Sequence, residues 1–167
     1  MSRAFLSLGG NLGERLFYLR AATGALARGP RMSLRGVSKI YETEPVEVDE
    51  DQPHYLNCVV EVDCGVPAVE LLRYCQGIEA ALGRERKGDK MPRTVDVDVL
   101  LFGEEVMEGP DLAIPHPGIA RAFNLKGLAD LDQGLYIPGR GLLSELLVSV
   151  DLDGIREVGE LEVGASC

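Results

Sequence analysis

The sequence predicts an α+β fold of the ferredoxin-like kind: a β-α-β-β-α-β core, with an antiparallel sheet and helices on its faces. Three observations carry that prediction. Short apolar or alternating runs suit strands, two longer runs space their apolar residues helically, and glycine or proline stands at most of the junctions. With 167 residues, 46% of them hydrophobic, the chain fits one domain with a genuine core. That domain is expected over residues 1–150, followed by an acidic, glycine-containing, loosely held tail over 151–167.

The elements follow in order. Ala4 to Leu8 reads as a short apolar strand that stops at Gly9-Gly10. Asn11 is expected to cap the next helix, with Glu14 reaching back from three residues on. Leu12, Leu16, Leu19 and Leu26 keep helical spacing and predict one buried stripe, and Gly29-Pro30 ends the helix. Leu34 to Tyr41 reads as a second strand, followed by an acidic, proline-containing loop. Tyr55 to Cys64 alternates: Cys58, Val60, Val62 and Cys64 form one face, while Tyr55, Asn57, Val59 and Glu61 form the other. Pro67 opens a second helix with the stripe Leu71, Cys75, Ile78 and Leu82, and Gly83 closes it. A fourth strand, Thr94 to Phe102, ends at Gly103. Beyond Glu104 lie a Pro-His-Pro turn and one or two further helical pieces.

Composition excludes several classes. A net charge of −10 argues against nucleic-acid and membrane partners, because phosphate backbones and anionic lipids select basic surfaces. It leaves room for a phosphorylated small molecule held in a local basic pocket. The four cysteines, Cys58, Cys64, Cys75 and Cys167, form no CxxC pair, and two histidines cannot complete a zinc set. They read as reduced thiols. The first ten residues hold too short an apolar run for a signal peptide, so the expectation is a cytoplasmic protein, acting as a monomer.

The sharpest chemical signal is PRTVDVDVLLFG, residues 92–103. Asp96 and Asp98 are two apart on a strand, so their carboxylates share a face while Val95, Val97 and Val99 point into the core. Two like charges side by side repel and raise each other's pKa, and a divalent cation between them relieves that repulsion. Hard oxygen donors suit Mg²⁺, which completes its octahedron with phosphate oxygens and water. An isolated Asp-x-Asp is common, and alone it divides about evenly between a ligand pair and a solvated strand face. The neighbourhood tips the balance: Arg84, Arg86, Lys87, Lys90 and Arg93 cluster just upstream, around Gly88, in an otherwise acidic chain. Metal-binding carboxylates beside guanidinium groups suit phosphoryl or pyrophosphoryl transfer, and a basic loop of this kind is expected to be mobile until it meets a polyphosphate. GGNLG at residues 9–13 lacks the Lys-Ser/Thr ending of a phosphate loop and reads as a tight strand-to-helix turn.

SLGGNLGER, YETEP, DQPHYLNCVVEV, GIEAALGRER, PRTVDVDVLLFG, and IPHP followed by RAF together resemble the 6-hydroxymethyl-7,8-dihydropterin pyrophosphokinases of folate biosynthesis, over residues 4–148. The resemblance implies transfer of pyrophosphate from ATP to the pterin hydroxymethyl group, with release of AMP. It implies that Asp96 and Asp98 hold two Mg²⁺ ions bridging the ATP phosphates, with Arg84 and Arg93 contacting phosphates during transfer. Tyr55 and Phe123 would sandwich the pterin ring, Asn57 would bond its edge, and backbone groups of Thr43, Glu44 and Val46 would assist. Gln76, Glu79, Arg86, Lys87, His116 and Arg121 match residues lining the nucleotide site.

This chain departs from the family pattern in three places. Family members usually carry Arg-Trp-Gly before Pro-Arg-Thr, whereas Lys90-Met91 stands here, one residue shorter and without the indole. The stretch between His116 and Arg121 is one residue short, and the first turn reads GGN where GSN is usual. Two rival classes share the fold: a non-catalytic ligand-binding domain, which would not need Arg84, Arg93, Asp96 and Asp98 together, and an RNA-binding module, which the acidic charge disfavours.

Overall fold

The computed structural model describes residues 1–44, 53–83 and 94–161. In chain order these form β1 (Ser2–Gly10), α1 (Arg15–Ala27), β2 (Met32–Val37), β3 (Lys39–Thr43), β4 (Tyr55–Cys64), α2 (Ala68–Ala81) and β5 (Asp96–Phe102). The remainder comprises β6 (Met107–Glu108), β7 (Ala113–Ile114), α3 (Ala122–Leu131), β8 (Tyr136–Ile137), β9 (Gly141–Leu142), α4 (Leu143–Ser149) and β10 (Ile155–Glu160).

The main sheet has six strands in the order β10-β3-β4-β1-β5, with β2 also pairing β4, and every pairing is antiparallel. The first strand therefore lies between the third and fourth sequence-predicted strands, as the ferredoxin-like arrangement requires. Two apolar clusters fill its two faces. Leu19, Ala22 and Leu26 of α1 and Leu71, Cys75 and Ile78 of α2 pack with Leu6, Leu8, Cys58, Val60, Val62, Val97 and Val99. On the other face Phe5, Val59, Leu100 and Leu101 meet Leu125 and Leu128 of α3 and Leu143 of α4. Burying each of these leucines fully is worth about 1.5–3 kcal/mol. The alternation read in β4 thus holds on both sides, and Cys58, Cys64 and Cys75 are buried outside any disulfide.

Five local expectations give way. The strand predicted as Leu34 to Tyr41 is broken at Ser38. There the Ser38 hydroxyl accepts the Val59 N–H at 2.8 Å while the Ser38 N–H donates to the Val59 carbonyl, so one side chain substitutes for a ladder bond. α3 comes close to this break because Gly127 has no side chain; a Cβ there would overlap Val59. Asn11 does not cap α1: it is fully buried and donates its amide to the Pro53 carbonyl at 3.1 Å, and the helix starts after Glu14 without a side-chain cap. Starting at Arg15, the helix leaves Leu12 and Leu16 exposed, and only Leu19 and Leu26 of the predicted stripe are buried. β1 runs through Gly9-Gly10 rather than stopping at them. Finally, residues 155–160, expected in a loosely held tail, pair with β3 as an edge strand.

Candidate active site

Antiparallel register sets four residues in one row across the sheet. Tyr41 of β3 stands opposite Asn57 of β4, Asn57 opposite Gly9 of β1, and Gly9 opposite Asp96 of β5. Directly paired residues point to the same face, so the row shares the face on which α3 packs. Neighbouring strands are about 4.8 Å apart, which puts the backbones of Asn57 and Asp96 about 10 Å from each other with only a glycine between. Gly9 is required there: a Cβ would lie 2.6 Å from Asn57 Oδ1. The Asn57 amide, almost fully buried, donates to the Tyr41 carbonyl at 3.2 Å and the Thr43 hydroxyl at 2.9 Å. Thr43 in turn pairs with Tyr55, which is half-buried on the same face as Asn57.

At the other end of the row, Asp96 and Asp98 are half-buried, and the residues flanking them, Val95, Val97 and Val99, are buried. The alternation read from the sequence is therefore the alternation in space. β5 is an edge strand, and its outer side is occupied by side-chain and loop partners. Glu79 of α2, itself buried, accepts the Val97 N–H at 2.8 Å. The His116 N–H donates to the Leu100 carbonyl at 3.0 Å. His116 Nδ1 accepts the Gly118 N–H at 2.9 Å, which leaves the ring hydrogen of the neutral imidazole on Nε2, 3.9 Å from Asp98 Oδ1.

The loop that carries His116 closes onto the start of α3. The Arg121 N–H bonds the Gly118 carbonyl, and Asn124 donates its amide to that same carbonyl at 2.9 Å. A Cβ on Gly118 would lie 3.3 Å from His116 Nδ1 and 3.5 Å from Arg121 Nε, so these two side chains converge on one glycine. Phe123, half-buried, lies in the first turn of α3, on the helix that covers β3 and β4.

The structure thus groups Thr43, Tyr55 and Asn57 at one end of the row, and Asp96, Asp98, Glu79 and His116 at the other, with Arg121 beside His116. Glu44 is exposed beyond β3. Gln76 and Glu79, both matched to the nucleotide site, differ in setting: Gln76 is exposed and Glu79 is buried against β5. Val46, Arg84, Arg86, Lys87 and Arg93 lie outside the described residues, as does the basic loop expected to be mobile. Sequence reasoning missed Gly9 and Asn124. The Gly9-Gly10 doublet was read only as a turn, and nothing local in Asn124 shows that it holds Gly118. Two hollows among the described residues, of about 570 and 480 Å³, are lined by none of the candidate residues, so the donor chemistry rather than concavity marks the site.

Asp96 and Asp98 fit a hard divalent cation. They supply carboxylate oxygens from one strand face, and Asp98 is accessible, its side chain being 26% exposed. Among the described residues no group of three or more His, Cys, Asp and Glu side chains gathers as a closed protein cage. A cation held here would complete its shell with substrate oxygens and water, as Mg²⁺ does at phosphate sites.

Comparison with known proteins adds an independent line. The profile of the family described as 7,8-dihydro-6-hydroxymethylpterin-pyrophosphokinase (HPPK) matches residues 5–133. The chain is 38% identical over 159 residues to the 2-amino-4-hydroxy-6-hydroxymethyldihydropteridine pyrophosphokinase of Pseudomonas aeruginosa, covering 95% of this chain and 98% of that one. It is 43% identical over 131 residues to the Bacillus subtilis protein of the same name, covering 78% of each. Among solved structures, the crystal structure of Plasmodium falciparum HPPK-DHPS A437G with SDX-DHP superposes with a TM-score of 0.70 at 16% identity, over 88% of this chain. This chain spans 45% of that solved chain, and at that identity the likeness concerns the fold.

Proposed function

This chain belongs to the 7,8-dihydro-6-hydroxymethylpterin-pyrophosphokinase family, and from that premise we propose that the row from Asn57 to Asp96 is its active site. The chain is an enzyme of folate biosynthesis that transfers pyrophosphate from ATP to the hydroxymethyl group of 6-hydroxymethyl-7,8-dihydropterin, giving AMP and the pterin diphosphate. In that reaction the hydroxymethyl oxygen forms a bond to the β-phosphorus of ATP and loses its proton. The bond from that phosphorus to the oxygen it shares with the α-phosphate breaks, and AMP leaves.

The single observation that carries the site reading is the register. It sets the group read as recognising the pterin edge, Asn57, and the group read as facing the polyphosphate, Asp96, on either side of Gly9. The separation of about 10 Å fits a substrate whose reactive hydroxymethyl group reaches from its ring toward a phosphate chain. Asn57 is pre-oriented by Tyr41 and Thr43, so its carbonyl oxygen remains for a donor on the ligand edge, and little ordering is left for binding to impose. Tyr55 and Phe123 offer rings for stacking on a flat heterocycle, aided by backbone groups of Thr43, Glu44 and Val46.

Asp96 and Asp98 would hold Mg²⁺, two ions on the resemblance, which supplies charge neutralisation on the polyphosphate. Glu79 keeps the strand between the two aspartates in place through Val97. His116 presents Nε2–H toward Asp98, and Arg121 adds positive charge next to it. Gln76, Arg84, Arg86, Lys87 and Arg93 are assigned to the nucleotide, with Arg84 and Arg93 stabilising charge that develops on the transferring group. The proposal extends to a monomer acting in the cytoplasm without nucleic-acid or membrane partners. The net charge of −10 and the buried Cys58, Cys64 and Cys75, none of them in a disulfide, support it; no helix among the described residues is long and apolar enough to cross a membrane. Incubation with ATP, Mg²⁺ and the pterin alcohol should yield AMP and not ADP. Activity unaffected by Asp96→Asn or Asn57→Ala would remove the row from the active site.

A further inference from the structure

The reverse face of the sheet, behind Thr43 and Tyr55, carries a charged group that no feature of the reaction explains. Arg15, the first residue of α1, donates from Nη1 to Glu42 Oε2 at 3.0 Å and to the His54 carbonyl at 2.7 Å. Glu42 is the penultimate residue of β3, and its other oxygen, Oε1, accepts from Arg156 Nη2 of β10. Asn11, in the turn before α1, holds the adjoining Pro53 carbonyl. One guanidinium therefore ties the end of β3 to the segment that enters β4, and β10 braces the same carboxylate from the sheet edge. The Glu42 side chain is only 15% exposed, and its two arginine hydrogen bonds, Arg156 first, hold its carboxyl below the usual carboxylate range. Glu42 precedes Thr43 and His54 precedes Tyr55, and Thr43 and Tyr55 are paired across the two strands.

We propose that Arg15, held by Glu42 and Arg156, is a positioning residue for the pterin alcohol. It sets the backbone at the ends of β3 and β4 that present Thr43, Tyr55 and the Asn57 amide, without touching substrate. This rests on the assignment of Tyr55 and Asn57 to the pterin. The effect is selective because the group lies behind that end of the row, while Asp96 and Asp98 are held separately by Glu79 through Val97. The strand Ile155–Glu160, beyond the catalytic row, gains a role through Arg156.

The test is steady-state kinetics on the full chain with Arg15→Ala, Arg15→Lys, Glu42→Gln and Asn57→Ala, each titrated in pterin and in ATP. Arg15→Ala is expected to raise the pterin KM about tenfold or more and to leave the ATP KM within about twofold, since small misplacements of binding groups are costly. Arg15 donates both bonds from Nη1, so Arg15→Lys, whose single ammonium carries the same charge on a shorter reach, should recover part of the loss. Glu42→Gln, close in shape, should move the pterin KM in the same direction and serves if Arg15→Ala does not fold. Equal rises in both KM values, or a lowered melting temperature with the pterin KM unchanged, would make the group merely structural and overturn the proposal. If Asn57→Ala weakens the pterin and neither Arg15→Ala nor Glu42→Gln does, the positioning role fails while the pterin site stands. If Asn57→Ala leaves the pterin KM unchanged, the pterin assignment itself fails.

Discussion

The Glu79 carboxylate accepts the backbone N–H of Val97 at 2.8 Å, and so joins the second helix to the residue between the two aspartates. Val97 lies on an edge strand, where among the described residues no neighbouring strand is present on its outer side. Removing the acceptor strands a buried donor, which costs about 1–3 kcal/mol. Glu79→Ala should therefore lower the unfolding free energy by that order, measured by urea titration, and depress turnover by loosening Asp96 and Asp98. Glu79→Gln retains an acceptor oxygen and should lose less. An unchanged urea midpoint for Glu79→Ala would show that the bond contributes nothing.

Asp96 and Asp98 share a face two residues apart, so neutralising either relieves repulsion. Asp96→Asn and Asp98→Asn should keep or raise the melting temperature while turnover falls about a hundredfold or more, the scale of losing one transition-state stabiliser. Wild-type turnover in excess chelator would remove the cation from the account.

Gly9→Ala probes the contact between β1 and Asn57. Its Cβ would meet Asn57 Oδ1 at 2.6 Å, so the amide must leave its bonds to Tyr41 and Thr43. Calorimetry should show pterin affinity strongly reduced. Phe123→Ala should also weaken the pterin, by about 1 kcal/mol beyond the lost buried area. Nucleotide affinity should change little in either variant. Equal loss of both ligands in Gly9→Ala would indicate general distortion of the sheet.

Tyr41 donates its hydroxyl to Asp130 Oδ2 at 2.6 Å, and Lys39 N–H bonds the same oxygen. Burial first, then the Asp130 hydrogen bond and charge, push the Tyr41 hydroxyl well above its ordinary 10.0. A group raised on folding contributes stability in full below its unfolded value and loses it as pH climbs through the folded one. Glu42 behaves oppositely: being lowered from 4.5, it contributes above that value and the contribution fades in acid. The urea midpoint of wild type should exceed that of Tyr41→Phe at neutral pH, and the gap should shrink above about pH 10. The gap to Glu42→Gln should shrink below about pH 4.5. A Tyr41→Phe gap that is constant up to about pH 11 would show that the hydroxyl titrates alike in both states.

Much of the sheet was legible because its signals are local. Period-two alternation in Tyr55–Cys64 is a property of six to ten consecutive residues, and so is the alternation of half-buried Asp96 and Asp98 with buried Val97 and Val99. The two elements misread near junctions fail for a non-local reason. Asn11 has the chemistry of a helix cap, but the Pro53 carbonyl, 42 residues away, competes for its amide. Ser38 sits in a run of good strand formers, and only Val59 across the sheet makes its hydroxyl a ladder partner.

By itself the sequence determined the element order, the apolar faces and one chemical signal, paired hard oxygen donors close to guanidinium groups, which follow from residue type and from spacing along one segment. The amide and aromatic rings proposed for a flat ligand came from the resemblance to the family. Tertiary structure alone decided which of these groups meet. The row Tyr41, Asn57, Gly9 and Asp96 depends on register between strands as much as 87 positions apart, from Gly9 to Asp96, and a one-residue slip would turn every side chain to the opposite face. The same holds for Arg15, Glu42 and Arg156, drawn from the beginning, the first third and the end of the chain. Their charges are ordinary surface charges in the sequence, and they become one group only because β10 closes on β3 and α1 starts where it does.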